Sequence, residues 1–366
     1  MTTVEDIFKF LDSIAPVNLA EDYDNPGLLA GEPNREVFKA ILSLDITPET
    51  AEETSNAGAQ LVISHHPVIF KPLRSLISTG VSAAVWKLAS LSLSAICMHT
   101  NLDLANGGVN DALSAAIGLK SVSHLQEYRK INYKKIAVFV PQDYADNVRF
   151  AMTSAGAGKF KCYDGCAFTV NGKGFFRPLE GAKPFIGNYL NCESVDEVRV
   201  EVICAPKDVN AVVAAMIAVH PYELPAYDIF DDESVAEEYS MGRIGLLNKK
   251  TALADYAGIV KDALSSSCVK VLDCGKEACK IAVCGGAADG EIITAAAKSG
   301  ADTLVTGEMK HSLYYTALEA GINIVEAGHF ATEAVILPVL KSKLSAAFPT
   351  VGFEIAKSCR EPYYAV

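Results

Sequence analysis

The sequence predicts an α/β protein in which two related α/β halves form one domain and a ferredoxin-like domain (β-α-β-β-α-β) is inserted between them. Three observations carry that prediction. Short apolar runs alternate with helical patterns at both ends of the chain, as parallel strands with crossover helices do. Two segments, NAGAQLVISHH (56–66) and KSGADTLVTGE (298–308), share one grammar of helix end, Gly-Ala, strand and polar groups. Between them the order changes to strand, helix, two strands, helix, strand, the split βαβ arrangement. A chain of 366 residues is also long for a single ordinary core.

Taken in order, a helix is expected near 4–14, and FKAILSL (38–44) is a strand. In TPETAEETSNAG a threonine cap and early acids open a helix, and Gly58 ends it. AQLVIS (59–64) and LSAICMHT (93–100) are buried strands; GVSAAVWKLASLS between them and NDALSAAIGL after them are helical. In the insert, YKKIAVFVP (133–141), VRVEVICAP (198–206) and AYDIF (226–230) are strands, while DYADNVRFAMTSAGA and KDVNAVVAAMIAVH are helices. Asn171-Gly172, inside CAFTVNGKGFFRP, signals a hairpin turn. DDESVAEE (231–238) reads as an acidic, solvated return linker. The closing strands are KIAVCGG (280–286), ADTLVTG (301–307) and INIVEAG (322–328), each followed by a helical stretch, the last being HFATEAVILPVLKSKL. The domains are then 1–129 plus 236–366 for the α/β domain and 130–235 for the insert.

A net charge of -12 argues against a nucleic-acid surface, which needs a basic stripe. No apolar run approaches the roughly 20 residues of a membrane span. The start, MTTVEDIFKFLDSIAP, has early acids and no basic segment, so it reads as an amphipathic helix and not a signal peptide. A cytoplasmic protein without nucleic-acid or membrane partners is expected. None of the ten cysteines is spaced C-x-x-C, and the expectation is reduced, buried thiols. Cys162 and Cys166 have no assignment.

The chemistry concentrates where strands end. His65, His66, His99 and His329 stand at or just after the ends of buried strands, and His311 follows another. In open α/β sheets that edge is where ligands bind. Pro67 makes continuation of the strand before it unfavourable, so both tandem imidazoles can turn to one cavity. HTNLD (99–103) adds Asp103, and in GHFATE (328–333) His329 and Glu333 are i and i+4 on one helical face. Gathering imidazoles and carboxylates in a cleft is costly unless a cation compensates. His65, His66, Asp103, His329 and Glu333 are too many for one tetrahedral ion. They suit two divalent ions bridged by a carboxylate, with Glu333 as the bridge. The mixed ligands favour zinc first, with iron, manganese or cobalt as alternatives, over calcium or magnesium.

YDNPGLL (23–29), SHHPVIF (64–70), HTNLD (99–103), TGEMKHS (306–312) and GHFATE (328–333) together resemble the NIF-three-like dinuclear metal proteins, many of them named GTP cyclohydrolase 1 type 2 homologues. HPYELPAYDIF (220–230) resembles the CutA/PII-like extra domain of the longer members. The resemblance puts the five residues above on the family's metal positions. It implies a homohexamer, a trimer of dimers, with metal sites facing an internal cavity. The family commonly has a second histidine where Ser312 stands, and Pro26 replaces a small polar residue. A dinuclear metal-dependent hydrolase follows, with a metal-bridging hydroxide as nucleophile and a small-molecule substrate. Glu308, His311 and His99 are candidates for proton transfer or support of the ligands. GTP as substrate is implied by the resemblance alone, since the chain has no G-x-x-x-x-G-K-[ST] loop. CGGAADGE (284–291) reads as an anion cradle or as a structural turn. The alternative is a metal-binding regulatory or scaffold protein without turnover. In that case HPYELPAYD lines a small-ligand cleft or a trimer contact.

Overall fold

Thr3 opens the first helix, Val4–Ile14: its hydroxyl accepts from the Asp6 amide while the Asp6 carboxylate accepts from the Thr3 amide, the reciprocal box that satisfies two orphan donors. Val4, Ile7 and Leu11 form its buried stripe. The computed structural model describes residues 1–126 and 128–364. The backbone divides into two units, one of Met1–Arg129 with Tyr239–Val366 and one of Lys130–Glu238. No helix among the described residues is long and apolar enough to cross a membrane.

In the first unit the fold is mixed α/β. One sheet runs Gly27–Ala30, Ser94–Cys97, Leu61–Ser64, Lys39–Ser43, Gly352–Ile355 in space. The other runs Lys270–Leu272, Asn323–Glu326, Thr303–Glu308, Ala278–Ala287, Arg243–Thr251, Lys120–His124. The first sheet has four consecutive parallel strands, from Ser94–Cys97 to Gly352–Ile355, bordered by the antiparallel Gly27–Ala30, and the second has three, from Asn323–Glu326 to Ala278–Ala287, with an antiparallel strand on either side. The two segments with shared grammar fall on interior strands of the parallel sets, Leu61–Ser64 and Thr303–Glu308. The antiparallel borders depart from the all-parallel expectation. They are short or polar strands with no clear apolar period, and antiparallel strands tolerate a solvated face.

Leu61–Ser64, Ser94–Cys97 and Asn323–Glu326 are buried at every residue, which is why they read as plain apolar runs. The helix expected over HFATEAVILPVLKSKL is two helices, His329–Ala334 and Ile336–Ala347. Pro338 has no amide to donate to Ala334, so the ladder is interrupted there. That break confines His329 and Glu333 to a short turn of their own.

The second unit contains Arg129–Pro141, Ala145–Ser154, Ala167–Phe176, Glu193–Cys204, Val209–Val219 and Tyr227–Tyr239 in chain order. Its sheet runs Ala167–Phe176, Glu193–Cys204, Arg129–Pro141, Tyr227–Tyr239. Ile136, Val138, Val200, Val148 and Met216 form a core of its own. Two expectations fail here. Asn171-Gly172 makes no turn: both lie mid-strand, opposite Val198 and Glu197. A two-residue turn of that type needs positive φ, and Gly172 does not have it. DDESVAEE is not a linker, because residues 231–238 belong to the strand Tyr227–Tyr239. Its acids reflect the largely exposed face of that strand. The cysteines also differ from expectation: Cys97, Cys204 and Cys284 are buried, but Cys162, Cys192 and Cys268 are exposed.

Candidate metal centre

Leu61–Ser64 ends in the tandem histidines. The His66 amide donates to the Leu44 carbonyl at 2.8 Å, and Ser64 Oγ donates to the His66 carbonyl at 2.8 Å. These bonds fix the corner before Pro67. His65 is buried and donates through Nδ1 to the Met98 carbonyl at 2.8 Å. His66 Nδ1 is 2.9 Å from Asp45, His99 Nδ1 is 2.8 Å from Asp24, and His329 Nδ1 is 3.2 Å from Glu308. A carbonyl or carboxylate only accepts, so each Nδ1 carries the proton. All four rings are therefore held in the tautomer that leaves Nε2 available, the way metal-binding imidazoles are oriented. The ring centroids of His65, His66 and His99 lie 5.1 to 5.5 Å apart, and His329 is 5.4 Å from His66.

Glu333 stands among them, buried. Its Oε1 is 3.1 Å from His329 Nε2 and 3.6 Å from His65 Nε2, and its Oε2 is 3.0 Å from His66 Nε2. Asp103, on the short helix Thr100–Leu104, has Oδ1 at 3.5 Å from His65 Nε2. Among the described residues, two sets of ligand atoms fall within 4.8 Å of one another: His65, His66, His99, and His66, His329, Glu333. His99, expected as a proton carrier, thus stands in a ligand set. Asp103 belongs to neither set but borders His65. Glu308 holds His329. His311 begins the helix His311–Ala320 with its ring against Tyr315 and is in neither set.

The surroundings fit a cation. His65 Nε2, Asp103 Oδ1 and Glu333 Oε2 are buried without a hydrogen-bond partner, Glu333 Oε2 being close to His66 but misaligned for a bond. Such orphan atoms cost stability unless something else satisfies them. The protonation balance points the same way. Burial disfavours charge on His66, yet the hydrogen bond to Asp45 and the adjacent Glu333 carboxylate push it up to about 10. The hydrogen bond to Glu333 pushes His329 up to about 9 against its burial. Burial raises Asp103, whereas the neighbouring imidazoles outweigh burial at Glu333 and hold it well below the usual carboxylate range. The cluster pulls in positive charge, as protons or as a metal.

Glycines clear the space. A Cβ on Gly286, whose φ is +65°, would sit 2.3 Å from Glu333 Oε1, and one on Gly307 would sit 2.2 Å from the Gly286 carbonyl. The Gly285 and Gly286 amides donate to Asn110 and Thr332, and Asp289 caps Gly290–Lys298 by accepting from the Glu291 and Ile292 amides. With those donors used, CGGAADGE is a structural turn that seats Glu333, not an anion cradle.

Asp24 and Asp45 were not anticipated as partners of His99 and His66. Burial opposes charge on Asp24, but hydrogen bonds from His99 and Thr100 draw it down to about 2. Asp24 lies inside YDNPGLL, and Asp45 stands two residues past the end of the strand Lys39–Ser43; an acid just past a buried strand end was the available signal. Buried Asn110 ties the site together. It donates to the Asp103 and Met241 carbonyls at 3.0 and 2.8 Å and accepts from the Gly285 amide at 2.9 Å. Arg243 donates all five N–H groups, to Asp111, Ala105, Ser240 and Gly242, which fixes the chain just after Asp103.

The family model described as Duf34/NIF3 (NGG1p interacting factor 3) matches residues 2–362. The chain belongs to that family. Relatives named GTP cyclohydrolase 1 type 2 homolog include one from Halalkalibacterium halodurans, 37% identical over 341 residues, 92% of this chain and 91% of that one. Another, from Bacillus subtilis, is 38% identical over 331 residues, 89% of this chain and 88% of that one. Among solved structures, a Bacillus cereus protein related to NIF3 superimposes with a TM-score of 0.88 at 32% identity, covering 100% of this chain and 99% of that one. The Duf34/NIF3 assignment therefore rests on the whole length of the chain, site and second unit included.

Proposed function

We propose that this Duf34/NIF3 protein holds two divalent metal ions, zinc first, and hydrolyses a small-molecule substrate beside them. The observation that carries the reading is the set of four imidazoles anchored through Nδ1 around a buried carboxylate, with His65 Nε2 and Asp103 Oδ1 unpaired. His65, His66, Asp103, His329 and Glu333 would be the ligands, with Glu333, near three imidazoles, between the ions. Such ions supply Lewis acidity and acidify a water. His99, held by Asp24, and Glu308, held by His329, are the groups placed to carry protons. His311, at the exposed start of its helix with its ring against Tyr315, is kept as the third candidate for proton transfer.

A cavity of about 280 Å³ adjoins the cluster and includes His99, Asp103, His329 and Glu333 in its wall. Glu21, Asp289 and Glu291 also line it, and no lysine or arginine does among the described residues. That lining favours a neutral or weakly charged substrate over the free triphosphate that the relatives' name suggests, because its acids would repel the phosphates and the basic group beside them, Arg129, is paired with Glu21. The Lys130–Glu238 unit is read as an inserted ferredoxin-like domain of CutA/PII type, supported by its strand order. The two parallel sets of the first unit are read as related halves. A homohexamer, a trimer of dimers, and a cytoplasmic location complete the proposal. The second reading, a regulatory or scaffold protein with structural ions, is favoured by the separate core of the Lys130–Glu238 unit.

Metal analysis of purified protein, with a panel of nucleosides, nucleotides and phosphoesters, separates the two. The hydrolase reading expects near two ions per chain and turnover that Glu333→Gln abolishes. Metal without turnover of any compound selects the scaffold, and protein with no affinity for zinc, manganese or cobalt ends both.

A further inference from the structure

The Lys130–Glu238 unit has a cavity of its own, of about 290 Å³, at the small end of ligand sites. Phe139, Phe176, Phe185 and Tyr222 line it together with Glu197. The rings of Phe176 and Phe185 meet that of Tyr222 at 61° and 52°, with centroids 6.0 and 6.5 Å away. Rings at such angles form a corner. A flat heteroaromatic ligand would need a slot of parallel rings, whereas a compact cation suits a corner of aromatic walls.

The acid in the wall is deliberately seated. Tyr222 donates its hydroxyl to Glu197 Oε1 at 2.9 Å. A Cβ on Gly174 would come within 2.3 Å of Glu197 Oε2, so the glycine makes the room for this carboxylate. Glu223, also in the wall, accepts from the Lys183 amide at 3.0 Å and pins the covering loop. Among the described residues no basic side chain forms an ion pair with Glu197 or Glu223, exposed Arg177 of the same wall included. His220 does not neutralise them. Its Nε2 donates to the Phe139 carbonyl and its Nδ1 accepts from the Tyr222 amide, which fixes a neutral ring.

We propose that this cavity binds a small organic cation, an alkylammonium or quaternary ammonium, with Glu197 as counter-charge and Tyr222, Phe176 and Phe185 as aromatic walls. The site is independent of the metal centre and of any hydrolysis there.

The test titrates full-length protein with choline, benzylamine and agmatine, following aromatic NMR shifts, and with 3,3-dimethylbutan-1-ol as the neutral isostere of choline. At least one cation is expected to shift the Tyr222 and Phe185 signals, and the isostere of choline to bind about tenfold more weakly than choline does. Glu197→Gln, folded by circular dichroism, should lose about tenfold in cation affinity, and Tyr222→Phe, which keeps the ring, a smaller factor. Equal binding of choline and its isostere, unchanged affinity in Glu197→Gln, or no binding of any of the three cations would overturn the proposal.

Discussion

The two corners that meet at Glu333 are built differently. The His65 corner ends a fully buried strand, and its imidazole leans on a backbone carbonyl. The His329 corner is a short helical turn, one third exposed at the imidazole, and leans on Glu308, whose side chain is 57% exposed. A carbonyl cannot titrate or swing away, whereas an exposed carboxylate can do both. One side of the centre is therefore fixed by the fold, and the other is adjustable by its surroundings. The first would set position, the second reactivity and exchange.

The comparison breaks most severely through Arg243, which serves the fixed side. Arg243→Met removes five hydrogen bonds, to Asp111 and three carbonyls; the arginine is buried but Asp111 is 31% exposed, so the cost should be near the lower end of the roughly 3–5 kcal/mol of a broken buried pair. Chemical denaturation should show that loss, and a change under 1 kcal/mol would mean the arginine is not needed to hold the loop after Asp103. Next come the proposed ligands. His65→Ala and His329→Ala should each weaken metal binding by more than the roughly 10–100-fold typical of an outer partner. Only His65→Ala should also destabilise the metal-free fold, by about 1–3 kcal/mol, since it orphans the Met98 carbonyl. Equal thermal shifts for both variants would erase the distinction.

Smaller still is Glu308→Gln, which keeps a group beside His329 but removes its charge. About a tenfold loss of metal affinity is expected, with metal exchange faster than in the parent protein. The mildest effect is on pH. In the metal-free protein His66 and His329 are pushed up to about 10 and about 9, so they carry protons at neutral pH. Raised values stabilise the fold below the ordinary 6.5, and that contribution disappears as the pH climbs through 9 to 10. Metal must displace those protons, so uptake should release protons into a weak buffer and weaken as the pH falls. Uptake without proton release would mean that His66 and His329 are neutral in the metal-free protein.

The strand ends were the most readable part of this molecule. Four-residue runs such as LVIS are buried on both faces, and the polar residues that follow them have nowhere to go but the sheet edge. His329 and Glu333 were visible because a helical period fixes their distance. What escaped notice depended on contacts remote in sequence. Asp24 is 75 residues from His99, and no local pattern announces that pairing. The glycines of CGGAADGE were ambiguous because a glycine marks close approach without naming what approaches. Asn171-Gly172 misled for the opposite reason: its turn preference is local, and ten residues of pairing with Glu193–Cys204 override it. His311 was singled out by its position after a strand, and no sequence pattern announced the contact of its ring with Tyr315.

Asn110 has a consequence that reaches past the proposed metal ligands. Through one side-chain amide it fastens the peptide carbonyl of Asp103 to the amide of Gly285, so the seam between the two sheets and the spacing of the acidic ligands are one variable. Loading the centre should tighten that seam, and stripping it with a chelator should let the sheets breathe apart, seen as faster amide exchange at Gly285 and its neighbours while the strand interiors stay protected. The centre would then be a clasp as well as a reagent.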